Sequence, residues 1–324
     1  MKRTVLLSTL VAVGVLSIVA AGFQAPAAGG QGRDGQGRGD GRGRGEGRGR
    51  GPAGPPMLDI KKVKDNLWMI TGGGGNTAVF QTANGLVLVD TKNPGTGQLI
   101  LDKIRTVTDK PITTVINTHS HNDHVGSNEF FGTTVEFVAH ENTKANVERM
   151  DNFKGDKSVF VPKKTFKDKL TIGKGNDEID LYYFGPAHTS GDAFVVFKSL
   201  RAMHAGDAFA GRNIPIVDTN NGGSAINYGK TVGKAAKSIK NVDTVIGGHT
   251  NDPMTFADLK QYGEFNSDFA AWVATEKKAG KTAEQAGEEY KIPEKYTGYT
   301  LGGNLFGGYK GNIQTAYKEL DAKK

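Results

Sequence analysis

The chain has 324 residues, a formal net charge of +7 and no cysteine. The lack of cysteine excludes disulfides and thiolate metal ligands, so any bound metal must be held by nitrogen and oxygen donors. The two basic residues near the N-terminus and the segment 29–56 carry five of the seven charges, and the weak charge left on residues 57–324 argues against a nucleic-acid partner.

The N-terminus has the pattern of a secretory signal peptide, which we assign to residues 1–27. Lys2 and Arg3 precede an apolar run over 5–21, and small residues follow, which places cleavage near Ala21 or Ala27. We therefore expect an exported protein, periplasmic or secreted. The alternative is an uncleaved anchor helix, which would be the chain's only contact with a membrane.

Residues 28–56 have the composition of a disordered linker. Glycine alternates with Arg, Asp, Glu and Gln before a Pro-rich end, and no residue type able to form a core is present. The Arg-Gly pattern is also found in segments that bind RNA, but export favours a solvated spacer. The remaining residues, 57–324, are enough for one large domain, with a helical extension at its C-terminus.

Short strands are predicted first in this domain, separated by Gly- and Asn-containing turns. They cover 67–71, 77–82, 86–90 and 112–116. A helix is predicted over 97–107, because Ile100, Ile104 and Val107 fall on one face.

The second half repeats this mixture of strands and helices. Strands are predicted at 179–184, 193–197, 202–205 and 243–246, and a helix at 228–239. Thr255 and Asp258 form a capping-box pattern that starts a further helix, whose aromatic stripe we interpret as core. The chain beyond Gly280 predicts a weaker helix and then a Gly- and Tyr-rich tail with no assigned chemistry.

Two segments have similar sequences, Thr-Val-Ile-Asn-Thr-His at 114–119 and Thr-Val-Ile-Gly-Gly-His at 244–249. Each follows a predicted helix and places a histidine just beyond the end of a strand. This repeated motif indicates two similar half-domains whose strand ends face one cleft, which is where ligands bind in such sheets.

Three of the seven histidines fall within six residues, at His119, His121 and His124, with Asp123 among them. Three imidazoles and a carboxylate in one turn are difficult to explain as core packing. Their spacing is typical of metal coordination. Nitrogen and oxygen donors without sulfur favour zinc, with iron and manganese as alternatives.

Further donors follow predicted strands, at His188, Asp207 and His249, each after a glycine or another small residue. Small residues allow the backbone to approach a bound ion closely. His140 and His204 are left over, and we interpret both as structural.

Four segments together resemble the metallo-β-lactamase superfamily over about residues 60–260. They are Thr-His-Ser-His-Asn-Asp-His-Val-Gly at 118–126, Gly-Pro-Ala-His-Thr-Ser-Gly at 185–191, Gly-Asp at 206–207 and Gly-His at 248–249. The resemblance implies an α/β (α+β) fold, an αββα sandwich with the metal site at one edge of the sheets.

The resemblance also implies roles for the donors. A first metal would be held by His119, His121 and His188, and a second by Asp123, His124 and His249, with Asp207 bridging the two. Asp90 matches a family position that braces the loop carrying the ligands. Asp123 would in addition orient the nucleophile and pass on its proton.

The implied activity is that of a two-zinc hydrolase, in which a metal-bound hydroxide attacks the carbonyl of a small ester, lactone, thioester or β-lactam. Asp207 stands where the commonest lactamase subclass has cysteine, although a further lactamase subclass keeps β-lactams open. Two residues are candidates for contacting substrate, Arg212 through a carboxylate and Tyr228 as a donor to an oxyanion, although a structural role is the alternative for both.

Two other classes of function compete with the hydrolase. A mononuclear iron oxygenase acting on persulfides would use His119, His188 and Asp207 on the same fold, and it would leave the second set of donors unused. A non-catalytic binding protein is the other alternative, against which the complete donor set argues.

Overall fold

The computed structural model describes residues 56–322. The predicted signal peptide and all but the last residue of the predicted linker lie outside this range. Between residues 56 and 322, no helix combines the length and the apolar character needed to cross a membrane.

Seven strands form the first sheet, and their spatial order is their order along the chain. They are β1 (Asp59–Lys64), β2 (Leu67–Thr71), β3 (Thr77–Thr82), β4 (Gly85–Val89), β5 (Ile112–Asn117), β6 (Glu136–His140) and β7 (Lys164–Phe166). Strands β1 to β4 form an antiparallel meander, whereas β4 to β7 run parallel. Strand β4 is buried along its whole length, as expected for a strand covered on both faces.

Six strands form the second sheet, in the order β13-β12-β11-β10-β9-β8. They are β8 (Lys169–Ile172), β9 (Ile179–Tyr182), β10 (Phe194–Phe197), β11 (Ala202–His204), β12 (Thr244–Ile246) and β13 (Met254–Thr255). Of these neighbours only β11 and β12 run parallel, because a helical crossover connects them.

Seven α-helices accompany the sheets within the described residues. They are α1 (Gly97–Arg105), α2 (Asn122–Val125), α3 (Glu141–Val147), α4 (Ala225–Ser238), α5 (Phe256–Lys278), α6 (Ala283–Glu289) and α7 (Gly308–Asp321). The capping box predicted for α5 is present, with Thr255 and Asp258 each accepting from the other's backbone N–H.

The core is divided into layers by the two sheets. Between the sheets, the rings of Phe80 and Phe197 lie 5.1 Å apart, within an apolar cluster drawn from both. On the outer face of the first sheet Ile100 of α1 is buried, and on that of the second sheet Leu259 of α5 is buried against α4. The predicted αββα sandwich is therefore confirmed.

Most differences from the predicted elements lie at their ends. Strand β3 has the predicted bounds, but α1 ends at Arg105, so Val107 lies beyond the helix and is 37% exposed instead of sharing its buried face. Four strands were missed, β1, β7, β8 and β13, and each lies at the edge of its sheet; β1 also carries three lysines and little apolar pattern. The tail contains a second helix, α7, whose Ile313 is buried in the outer core of the second sheet.

Candidate metal centre

The predicted donors meet at the edge where several strands end. His119 follows β5, Asp207 follows β11 and His249 follows β12, while His188 lies in the loop between β9 and β10. His121 is the N-cap residue of the short helix α2, which then carries Asp123 and His124. The structure therefore brings together seven side chains that span 130 positions of the sequence, from 119 to 249.

Their donor atoms form two groups. His119, His121, His188 and Asp207 offer atoms that all lie within 4.8 Å of one another, and Asp123, His124 and His249 form a second such group. Asp207 lies between the groups, since its Oδ2 is 3.6 Å from His188 Nε2 and its Oδ1 is 3.2 Å from His124 Nε2. This is the division that the resemblance implied.

Two histidines of the first group face each other through ring nitrogens. His121 Nε2 lies 2.7 Å from Asp218 Oδ2 and His188 Nδ1 lies 2.8 Å from the Ile216 carbonyl, so we assign the ring protons to these atoms. The remaining nitrogens, His121 Nδ1 and His188 Nε2, are 3.0 Å apart. Two lone pairs at that separation repel unless a cation or a proton lies between them.

The charges of the site fit a bound cation. Burial lowers the pKa of His188 to about 4 and that of His119 well below its usual value, so both rings are neutral, as metal ligands must be. Burial would raise the pKa of Asp207, but His124 and His249 outweigh it and keep that carboxylate ionised.

In the second group, contacts with carboxylates outweigh burial and raise the pKa of a histidine. Burial opposes the charge on His249, yet its contacts with Asp123 and Asp207 raise its pKa to about 9. The carboxylates thus hold positive charge in this group, and a divalent cation would supply that charge in place of the imidazole protons.

Three buried atoms of the site make no hydrogen bond of normal geometry among the described residues: His119 Nε2, and the pair His124 Nε2 and Asp207 Oδ1, which face each other at 3.2 Å. Buried polar atoms are normally paired, and an unpaired one calls for an explanation such as an ion. All three are standard ligand atoms for zinc. The residues present therefore fit a divalent metal site.

Asp90 has the bracing position that the resemblance implied. Its carboxylate is fully buried, lies 2.7 Å from His124 Nδ1, and accepts from the backbone N–H and the hydroxyl of Thr118 at 2.8 and 2.7 Å. The residue adopts a φ of 65°, which is uncommon for a non-glycine residue and is concentrated at functional sites. Asp90 thereby fixes both the ring of His124 and the start of the ligand loop.

Glycines allow the backbone to approach the donors closely at two points. A Cβ on Gly75 would lie 2.2 Å from His124 Cε1, and one on Gly248 would lie 1.8 Å from Asp207 Oδ1. No side chain fits at either position without moving a donor.

Two residues at the site were missed by sequence analysis. Asp218 orients His121 from 97 positions along the chain, and no local spacing marks it. Lys92 is fully buried and donates to the carbonyls of Ile70 and Gly75 at 2.8 and 2.7 Å, which fixes the loop that passes over His124. Burial lowers the pKa of Lys92 to about 7.

The two candidate substrate contacts have other partners in the structure. Tyr228 is buried, and its hydroxyl donates to the backbone carbonyl of Asp207 at 2.6 Å, so it positions that residue and does not face an oxyanion. The guanidinium of Arg212 is paired with Asp258 at 2.6 Å, beside the start of α5, and is not free to anchor a carboxylate.

The remaining histidines have structural contacts. His140 caps α3 and stacks on Tyr183 with ring centroids 3.8 Å apart. His204 bridges the carbonyl of Asn76 and the N–H of Gly206, both at 3.0 Å. Neither belongs to the groups of donor atoms.

Comparison with protein families shows which family the chain belongs to. The family described as the metallo-beta-lactamase superfamily matches residues 70–252, which is more than half of the 324 residues and includes all seven donors. The chain belongs to the metallo-β-lactamase superfamily. This membership and the donor cluster together support a metal-dependent, hydrolase-like function.

Curated relatives within this superfamily differ in their named activities. The 2,4-dinitroanisole O-demethylase subunit alpha of Nocardioides sp. (strain JS1661) is 27% identical over 166 residues, which are 50% of this chain and 50% of that protein. Metallo-beta-lactamase type 2 of Elizabethkingia meningoseptica is 26% identical over 207 residues, 60% of this chain and 79% of that protein. The chain thus spans only half the length of the demethylase subunit.

Solved structures share the fold. The sec-alkylsulfatase Pisa1 from Pseudomonas sp. superposes with a TM-score of 0.64 at 15% identity and covers 81% of this chain and 50% of its own. A metallo-β-lactamase from Pontibacter korlensis gives a TM-score of 0.56 at 19% identity, over 65% of this chain and 99% of its own. Identities this low show the fold alone.

Proposed function

We propose that this protein is a hydrolase with two metal ions, zinc in the first place, that cleaves a carbonyl-based bond in a small molecule. The observation that carries the proposal is the position of Asp207 between two complete groups of histidine and carboxylate donors. A site for one metal would need only the first group. The second group, in which His124 is buried and Asp123 and His249 are partly exposed, would then hold no ion.

The residues divide between the two ions as the resemblance implied. His119, His121 and His188 would hold the first ion and Asp123, His124 and His249 the second, with Asp207 contacting both. Bound there, divalent ions would lower the pKa of water to about 7 and polarise a substrate carbonyl.

Asp123 is the residue to which we assign proton handling. Its side chain is 30% exposed, whereas that of Asp207 is 5% exposed, so Asp123 reaches the mouth of the site. Burial would raise the pKa of Asp123, but the contact with His249 and the charge of His124 lower it, which keeps the carboxylate ionised. Its Oδ2 can therefore accept a hydrogen bond from an attacking water, orient it and receive its proton.

An ester, lactone, thioester or β-lactam fits this chemistry, because each has a carbonyl and a leaving group that a second cation can stabilise. No serine or cysteine nucleophile is needed, so no covalent intermediate is expected. The aspartate at position 207, where the commonest lactamases have cysteine, favours the ester, lactone and thioester classes.

A panel of four substrates tests this proposal: nitrocefin, a homoserine lactone, a glutathione thioester and a p-nitrophenyl ester. Each is offered to zinc-loaded protein with and without a chelator. We expect chelator-sensitive turnover of at least one class, restored when zinc is added back. Turnover of none of the four would remove most of the support for a hydrolase.

We also propose that the protein is exported and acts on a small molecule outside the cytoplasm, with no nucleic-acid partner. This rests on the basic pair and apolar run at the N-terminus and on the low charge of residues 57–324. Fractionation of cells that express the full chain, with N-terminal sequencing of the product, tests it. A cytoplasmic product with an intact N-terminus would contradict export.

A further inference from the structure

An exposed apolar pair lies on a glycine-flanked segment near the C-terminus. Residues 301–308, which we call the C-terminal flap, read Leu-Gly-Gly-Asn-Leu-Phe-Gly-Gly. Leu305 is 61% exposed and Phe306 is 46% exposed. Among the six large hydrophobic residues exposed in the described part of the chain, these two are the only sequence neighbours.

The second residue of this pair, Phe306, lies beside the candidate metal centre. The ring of Phe306 is stacked on the imidazole of His121, with centroids 6.1 Å apart and planes inclined by 12°. His121 belongs to the first group of donors, and its own ring is fixed by Asp218. Phe306 therefore forms part of the rim of the site and remains 46% exposed.

The C-terminal flap is fastened at both ends to the segment that follows Asp207. Before the flap, Thr300 exchanges backbone hydrogen bonds with Arg212 and Ile214 at 3.1 and 2.9 Å. After it, Asn312 of α7 donates to the carbonyl of Pro215 at 2.6 Å. The neighbouring carbonyl of Ile216 contacts the ring of His188, a candidate metal ligand. The segment that holds the flap therefore also contacts the candidate metal centre.

The backbone at the apolar pair has an uncommon conformation. Phe306 has φ 52° and ψ 29°, in the left-handed region that bulky residues rarely adopt. Gly302, Gly307 and Gly308 on either side also have positive φ. Such conformations are concentrated at ligand clamps and active sites, and here the strain presents an aromatic ring to solvent beside a candidate metal ligand.

We propose that Leu305 and Phe306 form the apolar wall of the substrate site, and that the substrate carries an apolar acyl or aryl group next to the bond that is cleaved. This inference rests on the proposed hydrolase function. The only cation that sequence analysis placed near the pocket, Arg212, is paired with Asp258, so the contacts at this rim favour apolar groups over a carboxylate.

A chain-length series of p-nitrophenyl acetate, butyrate and octanoate tests the wall with the zinc-loaded full chain. Burial of each added methylene is expected to raise kcat/KM roughly three- to fourfold until the wall is covered. In the double variant Leu305→Ser/Phe306→Gly, we expect kcat/KM for octanoate to fall at least tenfold, mainly through KM. Turnover of acetate should fall less than that of octanoate, so that kcat/KM depends less on chain length in the variant than in the wild type.

The variant is chosen so that the protein still folds. Glycine suits the left-handed conformation at position 306, and both side chains removed are exposed, so the thermal midpoint should not change. Val107→Ser is the matched control, since it removes a 37% exposed apolar side chain near the start of β5, at the opposite end of that strand from His119. This control should keep the chain-length preference of the wild type.

A binding measurement separates this inference from the hydrolase proposal. Calorimetry with octanohydroxamate and acetohydroxamate, which chelate zinc, should show at least tenfold tighter binding of the longer compound to the wild type and a loss of that difference in the double variant. If no ester is hydrolysed but this difference in binding is found, the hydrolase proposal is wrong and the proposal of an apolar wall is supported. If chain length affected kcat/KM and hydroxamate binding equally in the wild type and the double variant, the proposal of an apolar wall would be wrong.

Discussion

His188 Nε2 lies 3.0 Å from His121 Nδ1, while the other nitrogens of the two rings contact the Ile216 carbonyl and the Asp218 carboxylate. The two facing nitrogens are close enough for one cation to accept a lone pair from each. Asp218 and the Ile216 carbonyl therefore orient the two rings, as outer contacts of metal-ligating histidines do.

We expect Asp218→Asn to weaken the binding of one of the two metal ions by about 10- to 100-fold, because an amide holds the His121 ring less strongly than a carboxylate does. Titration with zinc against a chromophoric chelator measures this affinity. Asp252→Asn is the control, since Asp252 is 74% exposed and pairs with Lys61 at the surface. Equal affinities in wild type and Asp218→Asn would show that Asp218 does not position a ligand.

Gly248→Ala is expected to disturb the bridging carboxylate directly. The added methyl group would lie 1.8 Å from Asp207 Oδ1, so Asp207 or the loop must move. We expect a loss of stability of about 1–3 kcal/mol and weaker zinc binding. Gly233→Ala in α4 is the matched control, because open space surrounds it, and it should be neutral or add about 0.5–1 kcal/mol. Similar behaviour of both variants in urea unfolding would argue against the close approach.

The candidate site was more predictable than its surroundings, because its donors are grouped in short motifs. His119, His121, Asp123 and His124 are local in sequence, and the structure brings them together with His188, Asp207 and His249, three residues that follow small residues near strand ends. Strand β3 and the start of α5 were predictable for the same reason, since their apolar pattern and capping box are local signals.

The features that were missed depend on contacts distant in sequence. Asp218 reaches His121 across 97 positions, and Phe306 reaches it across 185 positions by way of a tail with no periodic pattern. Lys92 resembles a surface residue in sequence but is enclosed by carbonyls that the fold supplies. Tyr228 was considered as a substrate contact because its place in α4 does not reveal that its hydroxyl points to Asp207.

Tyr228→Phe is expected to lower the free energy of unfolding by about 1–2 kcal/mol, because it removes a buried hydrogen bond to the Asp207 carbonyl. Zinc binding should weaken as well, since Asp207 loses a fixed contact. The hydroxyl of Tyr317 is buried without a hydrogen-bond partner among residues 56–322, so Tyr317→Phe should be neutral or stabilising. If both variants lowered the free energy of unfolding equally, the hydrogen bond from Tyr228 to Asp207 would not contribute measurably to stability.

Deletion of residues 1–56 is expected to leave folding and turnover of small substrates almost unchanged. That stretch supplies no core-forming residues after the predicted cleavage site, and the first strand, β1, begins at Asp59. Comparison of the thermal midpoint and kcat/KM of the truncated and full chains measures the effect. A soluble truncated protein with much lower activity would contradict the interpretation of residues 28–56 as a linker.

The metal content of protein purified without added metal tests the two-metal proposal most directly. Elemental analysis should find about two ions per chain, with zinc dominant, and His188→Ala and Asp207→Ala should each lower this content. Because Asp207 lies between the two groups of donors, Asp207→Ala should also loosen the ion held by His124. A single iron per chain, together with oxygen consumption during turnover, would contradict the two-metal hydrolase.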